Sequence, residues 1–444
     1  MSSRLYLLLT CLVTLPAWSQ VEPSASGGPA PEDDPRMLTP PIISGTPYTS
    51  IPGSDLRQNV VTSAVSVNTA YLDNVLPGET GTPLADKTIS VFPALTYLRS
   101  SPRQEENLNY SPGFTFYFPT SVLDGINQSA AGSFEGRLSP NATLDLQENF
   151  VRTSNVFDVS YPFSSGGLSG STTTPIPAAI VPFVEQMRNV SNAALTYQFS
   201  RNGMIGGSGT SIEFRTPNQA GISGLFNSNG YGGSAFYSRR ATRRQYLGIR
   251  YEYDWVSGFG GGTQVGSQTH SLLPFYTVFF SRTFSLSAAA GSAYTEITQP
   301  QQPTITRWNA IAVLSMGWQG EKGNLSSSFL RTAISGTGLI GAYNSVSANF
   351  ASGWKLSRTW NANVSFTYQN IEPVAPLAII IYQGGNSLMA QGALKRTWGE
   401  RFAMEFGYQR LHQEFPKIAA IEADPDSDRV FLNATYSFKK SLGR

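Results

Sequence analysis

Charged side chains are scarce in this chain, and several of them fall on alternate residues. Arg250, Glu252 and Asp254 are spaced by two, as are Glu135 and Arg137, and Glu213 and Arg215; Asp145, Arg401 and Glu405 stand on similar alternating stretches. A spacing of two puts side chains on one face of an extended strand. Acids and bases mixed on one face can line a water-filled passage or form ion pairs that brace a wall. A lining of one sign would argue ion selectivity, whereas this mixed one argues weak selectivity or bracing.

No other group of residues makes a catalytic or metal centre. The chain has 2 histidines, His270 and His412, and no motif that brings either to a serine and an orienting carboxylate, as a hydrolase requires. Both read as isolated lumen or rim residues. Residues 422–428 (EADPDSD) concentrate carboxylates that could hold Ca²⁺. They lack the central Gly and closing Glu of an EF-hand loop, and Pro425 interrupts them. A solvated loop is the simpler reading. The single cysteine, Cys11, lies in an N-terminal apolar stretch, so disulfides and thiolate chemistry are not expected. The expectation is no enzyme, no cofactor and no bound metal.

The elements that position these charges follow from composition and pattern. Charged residues make up 14% of the 444, aromatics 12%, and there are 42 glycines; soluble domains carry roughly 25% charge. Much of the surface therefore does not face bulk water. A formal net charge of +2 gives no reason to expect nucleic acid as a partner. Mean hydropathy is −0.16, and past the N-terminus no apolar run approaches the roughly 18 residues of a membrane-spanning helix. Low charge, many aromatics and no long apolar run fit a barrel whose two faces alternate.

From Asn59 onward alternation dominates. Leu247, Ile249, Tyr251, Tyr253 and Trp255 point one way, and Gly248, Arg250, Glu252 and Asp254 the other; residues 360–369 and 401–409 repeat the pattern. The alternating segments run about 9 to 14 residues, longer than the roughly 5–6 of globular strands and suited to a tilted bilayer crossing. Short connections at 139–141, 281–283, 357–359 and 395–397 alternate with long ones near 153–188, 217–230, 371–386 and 413–428. Trp318, Trp354, Trp360 and Trp398 flank short turns, while Trp255 and Trp308 lie by long loops, as two membrane interfaces would select. Segment starts near 59, 87, 107, 129, 141, 191, 205, 231, 244, 268, 283, 307, 323, 344, 358, 387, 400 and 428 predict eighteen strands, or sixteen if the first pair lies outside the wall.

The expected fold is thus all-β: a single transmembrane antiparallel up-and-down barrel with short periplasmic turns and long extracellular loops. An Arg or Lys facing lipid at mid-depth costs roughly 2–4 kcal/mol, so parity assigns Glu135, Arg137, Asp145, Glu213, Arg215, Arg250, Glu252, Asp254, Arg401 and Glu405 to the lumen as pore-lining residues. Basic residues crowd the short turns (Arg239, Arg240, Arg243, Arg244, Arg358, Lys395 and Arg396). Loop length, the better-attested rule, keeps those turns periplasmic.

Residues 1–19 read as a Sec-type signal peptide: Arg4, an apolar core over 5–15, and Ala17-Trp18-Ser19 at the cleavage site. Cys11 falls too early for a lipoprotein signal. Residues 20–56, rich in Pro, Ser and Gly, read as a disordered periplasmic arm, a spacer more than a binding tail. The barrel then covers 57–438, and 439–444 form a tail.

The last alternating stretch, residues 430–438 (VFLNATYSF), resembles the C-terminal insertion signal of outer-membrane proteins, with Leu432, Ala434, Tyr436 and Phe438 toward lipid and a final aromatic. It departs from that signal by the tail beyond Phe438. The resemblance implies the barrel-assembly machinery as a partner, and outer-membrane lipid and lipopolysaccharide as surroundings. The turns Ser281-Arg282-Thr283-Phe284, Ser357-Arg358-Thr359-Trp360 and Lys395-Arg396-Thr397-Trp398, with residues 137–143, resemble those of uncharacterised barrels associated with exopolysaccharide systems. They imply a polysaccharide or small solute as the passing molecule. General porins are a second resemblance, through a long third connection that folds into the lumen. The basic ladder that faces an acidic loop in such porins is missing here.

That third connection, residues 153–188, changes character midway from a Ser-, Gly- and Thr-rich half to one carrying Ile180, Val181, Phe183 and Val184. Large apolar residues on a loop pack against something. They either extend the next strand or fold into the mouth as a constriction formed by Ile180 and Phe183, with Glu185 facing the remaining opening. The function expected is a passive channel, with a loop-plugged structural or adhesive barrel as the alternative.

Overall fold

Alternating Ser, Thr and aromatic residues with β-branched neighbours favour pleated, two-faced strands, and in the computed structural model each expected segment becomes one. The structure describes residues 37–44, 59–75, 84–153, 157, 185–216, 226–260, 263–335, 341–374, 384–415 and 426–442. A single helical turn, α1 (Pro41–Ser44), precedes β1 (Val60–Leu72), β2 (Asp86–Ser100), β3 (Gln104–Phe118), β4 (Gly125–Ser139), β5 (Ala142–Thr153) and β6 (Gln186–Ser200). Then come β7 (Gly203–Arg215), β8 (Asn227–Thr242), β9 (Gln245–Gly260), β10 (Thr263–Phe279), β11 (Phe284–Thr298) and β12 (Ile305–Gln319). The last six are β13 (Gly323–Ser335), β14 (Ala342–Lys355), β15 (Trp360–Pro373), β16 (Gly385–Trp398), β17 (Phe402–Glu414) and β18 (Asp426–Ser441). All eighteen expected starts fall within five residues of an observed one.

The strands form one 18-stranded antiparallel sheet in sequence order. The sheet closes where β1 meets β18, in register from Val60 opposite Ser441 to Leu72 opposite Arg429. Because β1 also pairs with β2, the sixteen-strand count does not hold. The stagger around the ring corresponds to a strand tilt of about 40°, usual for closed barrels. Eight connections of two to four residues mark one end, together with the start of β1 and the end of β18. Most connections at the other end are longer, but residues 261–262 alone join β9 to β10. Trp255 therefore does not stand beside a long loop, because both strands continue past it.

The faces separate by parity. Outward lie Ile89, Leu108, Phe114, Leu195, Tyr237, Ile249, Leu314, Phe366, Phe406 and Leu432, all exposed. Inward, hydroxyls pair across strands: Ser90 with Thr115 at 2.9 Å, and Ser66 with Thr435, Ser208 with Ser234 and Thr277 with Ser287 at 2.8 Å. Such pairs satisfy polar groups within the wall and leave the inner surface hydrophilic.

Candidate functional site

The inner wall of the barrel is the place where functional side chains gather. Near the short-turn end, Glu135 on β4 stands opposite Glu105 on β3 and Asp145 on β5, a row of three carboxylates with Arg137 on the same face of β4. Like charges directly opposite are unfavourable in a dry environment, so the row requires water around it. Five strands around the ring from β4, Glu405 on β17 faces Lys395 on β16. On these and neighbouring strands the wall carries amides and hydroxyls, among them Asn107, Asn109, Ser133 and Asn363, whose side chains remain exposed.

The opposite side is different. Arg250 on β9 is 1% exposed, with its Nη2 3.4 Å from Glu252 Oε1; Asp254 follows on the same face. Arg250 Nη1 also donates to the main-chain oxygen of Ile42 at 2.8 Å. Residues 37–44 lie inside the barrel here. The Met37 N–H donates to Gln198 Oε1 on β6 at 2.9 Å, and α1 packs beside β11 and β12. Only from within the curve can so short a segment touch strands so far apart in the ring. Met37, Ile42 and Ile43 are buried in one cluster with Met204, Phe236, Tyr246, Leu273, Phe275, Phe279, Ile311 and Val313. These eight residues thus depart from the disordered spacer expected of 20–56: their apolar side chains find an apolar stretch of wall.

A second buried arginine holds a second intrusion. Arg429 on β18, 4% exposed, donates to Asn68 Oδ1 on β1 at 2.8 Å and to Gln409 Oε1 on β17 at 3.2 Å. It also reaches the carbonyl of Phe157 at 3.4 Å, and its guanidinium lies 5.6 Å from the rings of Phe157 and Phe431. Phe157, just past β5, is buried with Leu72, Tyr117, Leu411 and Phe431. The third connection therefore enters the lumen at Phe157. Ile180 and Phe183, expected to form the constriction, lie outside the described residues.

Several expected site residues fall elsewhere. Glu213 and Arg215 face outward, paired with each other at 3.0 Å, while Ile212 and Phe214 between and beside them are buried inside. Parity misplaced them because the apolar residues of this strand end pack inward. Arg401 lies in the turn between β16 and β17, with its main-chain oxygen accepting from the Ser437 N–H of β18 at 2.9 Å. Glu185 forms an ion pair with Arg152, whose side chain is on the outer face of β5, so it does not face the opening. Arg429, Gln409, Phe157 and the Met37–Ile43 cluster were missed. For Arg429 and Gln409 the period-two rule already carried the signal. For residues 37–44 the only signal was four apolar residues among prolines.

The histidines are on the outer face, not in the lumen. His270 Nδ1 is 2.7 Å from the Tyr251 hydroxyl, and His412 Nδ1 is 2.7 Å from Asp426 Oδ1. Arg410 also binds Asp426, at 3.0 Å, so this part of the acidic connection is met by side chains of the protein itself; residues 422–425 lie outside the described set. His270 belongs to an outer aromatic row with Tyr253 at 4.9 Å, Tyr294 at 6.4 Å and, beyond it, Trp308 at 5.2 Å from Tyr294. At the short-turn end a second row contains Trp318 and Trp354, with centroids 5.7 Å apart. In the same row Arg396 lies between Trp360 and Trp398, 5.2 and 4.7 Å from their rings. Among the described residues, outward charges that interrupt the apolar surface include Glu148 on β5 and Arg331 on β13.

No protein-family model matches the chain, and no curated protein matches it. Among solved structures it is similar to OccK2 (OpdF) of Pseudomonas aeruginosa, with 12% identity over 86% of this chain and 98% of that one and a TM-score of 0.40. It is similar to OccAB4 of Acinetobacter baumannii, with 9% identity over 87% and 100% of the two chains and a TM-score of 0.40. The ferric-catecholate import receptor Fiu of Escherichia coli gives 8% identity over 87% and 83%, with a TM-score of 0.43. At such identities neither a family nor a solute carries over.

Proposed function

We propose that the chain is an outer-membrane channel for small polar solutes, neutral sugars and oligosaccharides being the class that suits its lining. One observation carries the reading: the sheet exposes apolar side chains on its outer face and polar ones on its inner face. Leu108 and Tyr110 on β3 are exposed outward while Asn107 and Asn109, alternating with them, are exposed inward. Hydrocarbon outside and water inside satisfy both faces at once, and no soluble sandwich does.

The aromatic rows support membrane placement. Trp308 and Trp318 lie ten residues apart on β12, about 33 Å along the strand and about 25 Å along the axis at this tilt, the height of an outer-membrane apolar band. Arg331 and Glu148 then sit at membrane depth, where the long Arg side chain extends toward the interface. On this reading residues 1–19 serve export, the assembly machinery recognises β18, the short turns face the periplasm, and the long connections meet lipopolysaccharide. Hydroxyls and amides match the hydrogen-bonding groups of sugars, and the resemblance of the turns to exopolysaccharide-associated barrels points to the same class.

Reconstitution in planar bilayers tests the proposal. Stepwise conductance with weak ion selectivity is expected, and proteoliposomes should swell faster in small sugars than in large ones. A barrel that inserts and gives no steps would leave the alternative, a plugged structural or adhesive barrel. The observation favouring that second reading is the pair of intrusions at Ile42 and Phe157.

A further inference from the structure

We propose that residues 37–44 are a displaceable internal plug, which covers the β7–β12 side of the lumen and narrows the channel until it is withdrawn. The inference rests on the channel reading and adds a closed state to it.

The wall itself carries the first part of the case. On β3, β4 and β15 the inner face carries amides and hydroxyls such as Asn107, Asn109, Ser133 and Asn363, as a water-filled barrel requires, and the apolar patch of Leu72, Tyr117, Leu411 and Phe431 is occupied by Phe157. Under residues 37–44 the inner face carries Met204, Phe236, Leu273, Phe275, Phe279 and Val313 instead, all buried. An apolar lumen wall has a purpose only if something apolar lies on it, and Met37, Ile42 and Ile43 do so.

The attachment carries the second part. The segment adds no strand to the sheet. Its polar ties to the wall include one main-chain carbonyl held by Arg250 and one main-chain N–H held by Gln198. A helix of a single turn does not persist in water, so α1 takes its shape from the wall. Both ties are to main-chain atoms and can be exchanged for water when the segment leaves. Withdrawal would also expose Arg250 beside Glu252 and Asp254, giving the cleared side the mixed charge that the carboxylate side already has. The device thus changes both the width and the lining of the passage.

The test uses the full chain with Cys11 replaced by Ser, carrying Val313→Cys as a reporter under the segment or Thr367→Cys on the polar inner wall as an open control. Ile42→Asp with Ile43→Asp expels the segment without touching the wall, and deletion of 37–44 is the second variant. In the parent, Val313→Cys should react with a membrane-impermeant maleimide about tenfold more slowly than the control, as for a site reached only by local opening. In either variant the two rates should come within about twofold of each other. Single-channel conductance should rise by about half or more, since a body of helix width leaves the lumen. A synthetic peptide of residues 37–44 should reverse the rise. The plug is overturned if Val313→Cys reacts as fast as the control in the parent, or stays slow in both variants. It is equally overturned if the reporter is freed while conductance is unchanged. If no form conducts, the channel reading fails; slow labelling of Val313→Cys in the parent, restored in the variants, would then separate a structural cover from a gate, and the gate would be lost.

Discussion

Two buried arginines, Arg250 on β9 and Arg429 on β18, stand half the ring apart in the 18-stranded sheet, and each donates to a carbonyl of a segment inside the barrel. Their other partners differ. Arg429 reaches side chains on both neighbouring strands, Asn68 on β1 and Gln409 on β17, and so laces the seam where the barrel closes. Arg250 pairs with Glu252 on its own strand and otherwise holds Ile42. One arginine braces the wall; the other grips something that is not wall. Similar burial thus serves stability at one site and occupancy at the other.

The wall sets the scale against which both are judged. Phe366→Arg places a guanidinium in hydrocarbon and should lower the unfolding free energy in lipid vesicles by about 2–4 kcal/mol, read from the urea midpoint. Thr367→Arg, on the inner face, should change it little. Equal losses would mean that the outer face does not meet lipid, and both arginines would then belong to a soluble core.

Arg429→Ala should come next, losing about 2–3 kcal/mol as two side-chain bonds to a charged donor disappear from the seam. Arg250→Ala leaves Glu252 buried without its cation and should cost a similar ~2–3 kcal/mol, but it alone should open residues 37–44 to protease. A segment still protected after Arg250→Ala, or freed equally by Arg429→Ala, would erase the distinction between brace and grip.

The smallest effect is expected outside the lumen. Glu213→Gln breaks a half-exposed pair with Arg215 and should shift stability by no more than about 0.5 kcal/mol. Ion selectivity should stay as it was. A changed reversal potential would return Glu213 to the lumen and undo its outward assignment.

Most of the wall was legible residue by residue. Leu247 to Trp255 and Phe366 to Tyr368 read correctly because a strand in a two-faced wall repeats every second residue, and each pair of neighbours reports the same boundary. Glu213 and Arg215 broke the rule where the boundary itself changes: at the loop end of β7 the inside is filled and apolar, so Ile212 and Phe214 turn inward. Parity orders residues along a strand, but it carries no label for which face is wet.

Sequence alone therefore determined the strand segments, the alternation and the antiparallel order, all of which follow from local pattern and short connections. Eighteen rather than sixteen strands was settled by the pairing of β1 with β2 and β18. Only the tertiary structure decided what fills the barrel. Residues 37–44 and Phe157 reach their partners Arg250 and Arg429 across 208 and 272 positions of chain. Neither contact has a period, a spacing or a turn to announce it. Closing the sheet brings opposite walls around a shared interior, and the fit of an apolar segment to an apolar stretch of wall exists only once that closure is made.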